Sequence, residues 1–395
     1  VGGSESLCRV VAEMLTQDHP VEVLTTCAKE YTTWKNEYEP GVSMLNGVKV
    51  RRFAVDFERD HRFHQTLHTI LGGMPLASYP KHSAMMRQLV ARSTAEQQRA
   101  CLKLQGPYST PLLEHLASHH QDYDLVAFFT YLYPTTFYGS QRVPRHKMLL
   151  IPTAHDEAVI HFPVFREMFA RFRAQVFLTL EERSFVEETF DLQDAVKATI
   201  GMPVELASEP DPDRFRKKYR VDGPFILYAG RLDPSKGCEE LLAFFQAARP
   251  HLPPELSLIL IGNRAMRVPR DPRIQHLGML PEHDKLDAMA AASVVMNPSP
   301  FESFSIVVLE AMLCGTPVLV NGLSTVLTGH VRRSNAGLYY GDYMEFVEAA
   351  RLMLEDGRLR SRMGCNGTEY VKRNYSYGSV KQRYLALLHR IVQAS

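Results

Sequence analysis

Apolar, β-branched runs alternate with helical stretches along the 395 residues of the chain, and this alternation constrains the fold more than any other feature. It is typical of parallel strands joined by crossover helices. Because it occurs twice, it predicts an α/β protein with two parallel-sheet domains, and residues 204–219, a polar stretch with two prolines, are the predicted linker. The predicted strands are residues 21–26, 48–55, 124–130, 147–153 and 175–180, then 225–230, 256–262, 274–278, 293–299 and 317–321.

Composition and charge argue against several classes of protein. A net charge of +1 lacks the basic excess of a general nucleic-acid binder. The six cysteines lie far apart with no Cys-x-x-Cys pair, so a disulfide framework or zinc cluster is not expected and a reducing cytosol fits better. No apolar run reaches the ~18 residues of a membrane span, and no signal peptide opens the chain. We predict a cytoplasmic protein, for which peripheral membrane contact stays open.

Residues 297–322, NPSPFESFSIVVLEAMLCGTPVLVNG, join two predicted strands through a loop and a helix that ends at Gly315. In an open parallel sheet, such a loop lies at the carboxyl edge of the strands beside the next helix N-terminus, where ligands bind. The amides of residues 303–306 and the helix dipole would favour an anion there. This segment therefore predicts a phosphate site.

Two glutamates, Glu302 and Glu310, flank this predicted phosphate site. Glu302 lies in the loop, and Glu310 is expected about six residues into the helix, roughly 9 Å along its axis. This layout suits a sugar nucleotide, whose phosphates lie between two polyols. Acids at a helix start are also common as solvated residues, and this alternative stays open for Glu302. Glu310 lies in an apolar stretch, where a buried acid needs a partner.

A second candidate phosphate site is the loop YAGRLDPSKG, residues 228–237, which follows a predicted strand. Arg231 binds phosphates through its planar fork and Lys236 as a point charge, although two solvated cations would give the same pattern. The glycines of GGSES, residues 2–6, precede an amphipathic helical pattern and predict another glycine turn at a helix N-terminus.

In this order, GGSES, the HDE of residues 155–157, YAGRLDPSKG and FESFSIVVLEAMLCGTPVLVNG resemble the GT-B retaining glycosyltransferases of family 4, the glycosyl transferases group 1. The resemblance covers nearly all the chain and is most specific in its C-terminal half. It implies two Rossmann-like domains facing a cleft. Their expected ranges are 1–205 and 206–375, with a C-terminal helix at 376–395 packing back on the first domain.

The resemblance also implies a role for each matching residue. Arg231 and Lys236 would hold the donor diphosphate and offset the charge of the leaving group. Glu302 would lie near the hydroxyls of the donor sugar, and Glu310 would bind the nucleotide ribose. His155 would face the donor sugar, although a histidine at a strand end is also common as a structural residue. The remaining residues expected to line the donor are Gly3, Gly230, Phe304, Ser305 and Ile306.

Two features depart from the family pattern. The family opens with a strand before its glycine loop, whereas here the glycines are residues 2 and 3, so the first domain is expected to lack its N-terminal strand. Many members also have glycines where this chain has Ser303 and Ser305. The Cβ atoms of these serines are expected to narrow the approach to the sugar.

Signals for metal chemistry are weak. The DYD of residues 122–124 and the DPD of residues 211–213 mimic a metal-binding DxD, but the first opens a predicted strand and the second lies in the predicted linker. HRFHQTLH, residues 61–68, has three histidines on one helical face without a nearby Cys or acid cluster, which favours a solvated surface. No Gly-x4-Gly-Lys-Ser/Thr loop occurs. We expect no metal and no cofactor, since the nucleoside-diphosphate sugar is a donor substrate.

The expected reaction is transfer of a hexose-type sugar from a nucleoside-diphosphate sugar to a glycan, lipid-linked or small-molecule acceptor. Fixed positive charge at the departing diphosphate would stabilise the transition state, and such electrostatic stabilisation usually contributes more to catalysis than any other effect. Retention of configuration is inherited from the resemblance. A sugar-nucleotide epimerase, an inverting transferase and an inactive fragment or scaffold stay open as alternatives. The sequence does not identify the donor, the acceptor or the oligomeric state.

Overall fold

The computed structural model describes residues 3–393, which form two compact units. The first unit ends at Met202 and takes up the chain again at Lys381, while the second runs from Pro203 to Val380. Within the described residues, no helix combines the length and the apolar character needed to cross a membrane.

The first unit contains two sheets. Its strands are β1 (Glu22–Thr26), β2 (Gly41–Leu45), β3 (Val48–Phe53), β4 (Val126–Phe129), β5 (Met148–Ile151), β6 (Ala174–Phe177) and β7 (Val196–Thr199). Three strands form a sheet of order β1-β3-β2, in which β2 is antiparallel to β3, and the others form a parallel sheet of order β4-β5-β6-β7. The predicted parallel pairing is therefore confirmed for this unit, whose strands divide into two sheets and whose only antiparallel pair of strands among the described residues is β2 with β3.

Helices surround these sheets. They are α1 (Gly3–Leu15), α2 (Arg62–Ile70), α3 (Tyr79–Arg92), α4 (Ala95–Gln105), α5 (Thr110–His119), α6 (Pro134–Gly139), α7 (Val164–Ala170) and α8 (Leu180–Thr189). The amphipathic pattern predicted after GGSES is α1, which buries Leu7, Val11 and Met14 on one face. Within residues 3–393 no strand precedes α1, and β1 and β4 belong to different sheets.

The second unit is built on one parallel sheet of six strands, β8 (Phe225–Ala229), β9 (Ser257–Ile261), β10 (Ile274–Gly278), β11 (Val294–Asn297), β12 (Val318–Asn321) and β13 (Gly337–Tyr340). The strand order is β10-β9-β8-β11-β12-β13. The chain winds outward from β8 in one direction and from β11 in the other, so the loops after β8 and β11 meet at the point where the winding reverses. Ligands bind at this point in open α/β sheets.

Helices cover the second sheet. They are α9 (Pro212–Tyr219), α10 (Cys238–Ala247), α11 (Glu282–Ala291), α12 (Ile306–Leu313), α13 (Thr325–Ser334), α14 (Tyr343–Glu355) and α15 (Gly357–Tyr375), and α16 (Tyr377–Gln393) follows them in the chain. The four central strands, β8, β9, β11 and β12, are almost entirely apolar and almost fully buried, as expected for a parallel sheet that is covered on both faces. From Lys381 onward α16 belongs to the first unit, where Lys381 pairs with Asp18 at 2.8 Å.

All ten predicted strands overlap observed strands, whereas β2, β7 and β13 were not predicted. β2 escaped prediction because all of its residues are exposed, so it lacks the alternation of a half-buried strand. The turn signal was nevertheless present: Asn46 and Gly47 join β2 to β3 with φ values of 50° and 80°. An Asn-Gly pair with two positive φ angles is the preferred connection of a tight hairpin.

Residues 204–219 are not a linker, which corrects the prediction. They belong to the second unit, where α9 packs on α11. Arg214 pairs with the buried Asp287 at 2.5 Å, and Lys218 pairs with the buried Asp284 at 2.7 Å. The polar sequence is therefore the charged face of a docked helix, whose apolar side buries Phe215.

Candidate functional site

The loop after β8 carries the two predicted cations. Where β8 ends, the amide of Gly230 donates to the carbonyl of Ile261 in β9 at 2.9 Å. The hydroxyl of Tyr228 donates to the carbonyl of Arg231 at 2.7 Å. Arg231 therefore leaves the strand from a fixed backbone position at the carboxyl edge of the sheet.

The rest of this loop is a 3₁₀ turn, Pro234–Lys236, capped by Asp233. The Asp233 carboxylate accepts a hydrogen bond from the amide of Ser235 at 2.9 Å and lies 3.4 Å from Nε of Arg231. Arg231 and Lys236 thus lie at the two ends of one hydrogen-bonded loop.

Glycines allow neighbouring loops to touch through their backbones. Gly237 has a φ of +73°, and a Cβ added there would lie 2.2 Å from the carbonyl oxygen of Pro298 in the loop after β11. A Cβ added to Gly262, after β9, would lie 2.0 Å from the carbonyl oxygen of Gly230. The loops after β8, β9 and β11 therefore pack together in a way that a side chain at either glycine would prevent.

Asn297, the last residue of β11, organises the loop that follows. Its Oδ1 accepts from the amide of Ser299 at 3.0 Å, and its Nδ2 donates to Oγ of Ser305 at 2.9 Å. Ser305 has φ 61° and ψ 70°, a left-handed conformation that favours glycine. The bond from Asn297 therefore holds the Ser305 hydroxyl while the backbone turns into α12.

An ion pair joins the loops after β8 and β11. Nζ of Lys236 lies 3.0 Å from Oε1 of Glu302, whose side chain is only 15% exposed. The two residues are 66 positions apart in the sequence. The structure therefore brings together the cation predicted for the diphosphate and the acid predicted for the sugar.

The start of α12 differs from the prediction. The helix begins at Ile306, and the amides of Val308 and Leu309 already donate to the carbonyl of Ser305 at 3.2 and 3.4 Å. The amides of Ile306 and Val307 are the first two of the helix and have no acceptor within it. They replace the predicted set of residues 303–306. Glu310 is the fifth helical residue, about 6 Å from the start rather than about 9 Å.

The ring of Phe304 packs inward, so this side chain is not placed to line the donor. It contacts His330 and Tyr375 edge-on, with ring centroids 6.0 and 5.2 Å apart. Its carbonyl accepts from Nε2 of His330 at 3.0 Å. Phe304 therefore anchors the loop to α13 and α15, and only its amide can serve the predicted role.

Glu310 forms an ion pair with a residue of α11 that was not predicted from the sequence. Its Oε2 lies 2.8 Å from Nζ of Lys285, and Nζ also contacts Oε1 of Glu282 at 2.7 Å. Burial raises the pKa of Glu310, and the charge of Lys285 opposes that rise. The partner that a buried acid requires is therefore Lys285.

His155 and Gly3 belong to the first unit, while the other predicted site residues belong to the second. His155 follows β5, and its Nε2 lies 3.7 Å from Oε1 of Glu157, which also accepts from the hydroxyl of Tyr131 at 2.6 Å. Gly3 is the first residue of α1, and a Cβ added there would meet no atom within 4 Å. Gly2 lies outside the described residues.

One of the motifs that resembled a metal site, DPD, has a structural explanation. Asp211 of DPD caps α9, where its carboxylate accepts from the amides of Asp213 and Arg214 at 3.0 Å. Among residues 3–393, no three His, Cys, Asp or Glu side chains are grouped as a metal site would require. Independence from metal ions stays a prediction.

Sequence reasoning missed three kinds of residue at this site. Asn297 lies within the predicted strand 293–299 and ends the observed strand β11, so its place near a strand end was the available signal. Gly237 ends the predicted phosphate loop, but the close approach of its backbone to Pro298 depends on a residue that is distant in the sequence. Lys285 forms an i,i+3 pair with Glu282 on the same helix, and this local pattern does not indicate a contact with Glu310.

The second unit matches a known family. Residues 211–370 match the family model described as Glycosyl transferases group 1. A D-inositol 3-phosphate glycosyltransferase of Xylanimonas cellulosilytica is 33% identical over 176 residues, which cover 40% of this chain and 40% of that relative. An O-antigen chain mannosyltransferase B of Escherichia coli is 31% identical over 112 residues, 26% of this chain and 29% of the relative. The matches span less than half the length of these two relatives.

Solved structures resemble nearly the whole chain. Sucrose-phosphate synthase from Thermosynechococcus elongatus has a TM-score of 0.70 and 18% identity, covering 100% of this chain and 95% of that one. HepE of Anabaena, solved in complex with UDP and glucose, has a TM-score of 0.68 and 17% identity, covering 98% and 96%. At these identities the likeness concerns the fold, and it confirms the predicted GT-B fold. Residues 211–370 are therefore similar to the glycosyl transferases group 1.

Proposed function

We propose that this chain is a retaining glycosyltransferase that takes a hexose-type sugar from a nucleoside-diphosphate sugar. The observation that carries the proposal is the ion pair of Lys236 with Glu302, which lies where the winding of the sheet reverses and is flanked by Arg231. A diphosphate needs cations, a sugar needs hydroxyl acceptors, and this position supplies both kinds of group.

The diphosphate is held by three sources of positive charge. Arg231 and Lys236 come from the loop after β8, and the free amides of Ile306 and Val307 begin α12. A helix N-terminus adds the positive end of its dipole. Because these groups are fixed before the reaction, they stabilise the charge that develops on the leaving diphosphate without reorganising.

Glu302 acts at the sugar. Its Oε1 is engaged by Lys236, whereas its Oε2 has no hydrogen-bond partner among residues 3–393. The free oxygen can accept a hydrogen bond from a sugar hydroxyl, as ionised carboxylates do. The same residue therefore orients Lys236 and the donor sugar.

In the proposed reaction, the bond from C1 of the sugar to the diphosphate oxygen breaks while the acceptor oxygen bonds to C1 from the same face. The electron pair of the broken bond leaves with the nucleoside diphosphate. The acceptor proton passes to a phosphate oxygen of that leaving group. No protein nucleophile is required, and retention rests on analogy with the family.

Several further features belong to the proposal. UDP is the first nucleotide to test, because HepE was solved with UDP and glucose. The acceptor is a glycan, a lipid-linked sugar or a small molecule, held by the first unit, where His155 is proposed to face the donor sugar and Gly3 to line the donor. The reaction is proposed to need no metal ion, to involve no nucleic acid and to take place in the cytoplasm.

Acceptor-dependent release of nucleotide tests this proposal. UDP-, GDP- and ADP-sugars are first screened by thermal shift, and release of nucleoside diphosphate is then measured with and without a library of acceptors. We expect release only when an acceptor is present. An isomerised donor would indicate an epimerase, and absence of both reactions would indicate a scaffold. In the same assay we expect Lys236→Met to lower turnover. Lys218→Met, which removes an ion pair of similar length outside the site, is its matched control and should leave turnover unchanged.

A further inference from the structure

We infer that Lys285 is a positioning residue of the nucleotide site, which holds one carboxylate oxygen of Glu310 in an ion pair and leaves the other for the ribose. The inference rests on the proposed function, in which Glu310 is the ribose acceptor. Nothing in the family motifs assigns a role to Lys285, which lies outside both the segment that carries the two glutamates and the Arg231 loop.

The two oxygens of Glu310 differ in their contacts. Oε2 receives a hydrogen bond from Nζ of Lys285 at 2.8 Å. Oε1 has no protein partner within the described part of the chain. The side chains of Glu310 and Lys285 are only 12% and 19% exposed, so this contact is largely removed from water. Lys285 therefore fixes the orientation of the carboxylate and leaves Oε1 available to a ligand.

Lys285 is itself held from a second side. Glu282, the first residue of α11, lies one turn before Lys285 and contacts its Nζ at 2.7 Å. Glu282 is more exposed than Glu310, with a side chain that is 55% exposed. The ammonium group is consequently bridged between an outer and an inner carboxylate.

The charges around Glu310 explain why the lysine matters. Lys285 and Glu282 face it from α11, and the thiol of Cys314 lies near it on the next turn of α12. Burial raises the pKa of Glu310, Lys285 lowers it and Glu282 raises it. Burial lowers the pKa of Lys285, but the charges of Glu310 and Glu282 outweigh this effect and keep that pKa above its ordinary value. Without Lys285, the burial effect on Glu310 would be unopposed by any cation.

Loss of the lysine should therefore make nucleotide binding depend on pH. A protonated carboxyl group is a weaker acceptor than a carboxylate for the two ribose hydroxyls. Because Lys285 lowers the pKa of Glu310, the carboxylate is expected to stay ionised to lower pH in the parent than in Lys285→Met. In Lys285→Met, the raised pKa of Glu310 should weaken binding at the acidic end, and binding should recover as rising pH removes the proton.

The experiment is calorimetric titration with UDP, GDP and ADP at several pH values. For the nucleotide that binds the parent most tightly, we expect Lys285→Met to bind about tenfold more weakly at the lowest pH at which both proteins stay folded, and the difference should shrink to within about twofold as the pH rises. Lys285→Arg should behave like the parent because it keeps the charge. Lys285→Met combined with Glu310→Gln should match Glu310→Gln alone, with no added pH dependence.

Controls separate this inference from the proposed function. Lys218→Met, which removes the ammonium partner of Asp284 on the same helix α11, should leave affinity unchanged at every pH. If Lys285→Met melts below the assay temperature, Lys285→Gln replaces it, with the same pH dependence expected. Parent-like affinity and pH dependence in the neutral variant would overturn the inference. Failure of the parent to bind any of the three nucleotides would instead overturn the proposed function.

Discussion

Replacing Gly237 by alanine tests the packing that brings the two halves of the candidate donor site together. A Cβ at this position would lie 2.2 Å from the carbonyl oxygen and 2.9 Å from the carbonyl carbon of Pro298. Both atoms belong to the backbone, so no side chain can rotate away. Relief of the first contact requires the loops after β8 and β11 to separate by about 1 Å, and a misplacement of that size can cost about 10²-fold in rate.

Gly278 provides a matched control for the backbone. It has the same φ of +73°, but a Cβ added there would meet no atom within 4 Å. Gly278→Ala therefore carries only the strain of a left-handed alanine, about 1 kcal/mol. Gly237→Ala carries this strain and the separation of the loops. We expect a modest loss of stability in both variants and the loss of turnover only in Gly237→Ala.

The measurements are thermal unfolding and steady-state transfer kinetics on both variants. Gly237→Ala is expected to lower kcat by about 10²-fold relative to Gly278→Ala, because Lys236 and Glu302 come from the separated loops. If the two variants had equal kcat and equal melting temperatures, the close approach of Gly237 to Pro298 would not position the site, and the reasoning would be refuted.

Three further predictions concern the chemistry. Arg231→Ala and Lys236→Ala should each lower kcat by about 10²-fold or more with the fold retained by circular dichroism, and activity within about twofold of the parent would remove that residue from the catalytic set. Activity should survive EDTA, whereas a loss that Mn²⁺ restores would show that a metal ion is required. Glu310→Gln should weaken binding of the free nucleoside diphosphate by about 10- to 150-fold in calorimetry. Glu302→Gln should leave that binding nearly unchanged and lower turnover, because the free nucleotide carries no sugar.

The sheet of the second unit was predictable because its strands carry their own signal. The runs at 225–230 and 293–299 are apolar and bounded by turn residues, and this pattern predicts strands that are buried on both faces. β13 was missed because its four residues, Gly337–Tyr340, are too few to show a periodic pattern. The separation of β1 and β4 into different sheets depends on pairing between distant segments, which local periodicity does not describe.

The site shows the same division between local and distant information. Arg231, Lys236, Glu302 and Glu310 were identifiable because their spacing follows strand ends and a helix start. The contact between Glu310 and Lys285 could not be predicted, because 25 residues separate them and the sequence around either residue does not indicate the other. The helix start was placed too early since a left-handed serine, rather than a helical residue, precedes Ile306.

The anomeric configuration of the product tests the central claim most directly. The glycoside formed from an α-linked donor would be isolated from the acceptor-dependent reaction, and its anomeric proton coupling measured by NMR. Front-face transfer assisted by Arg231, Lys236 and the start of α12 predicts an α-linked product. A β-linked product would show inversion through attack from the opposite face, and would contradict the mechanism proposed for this site.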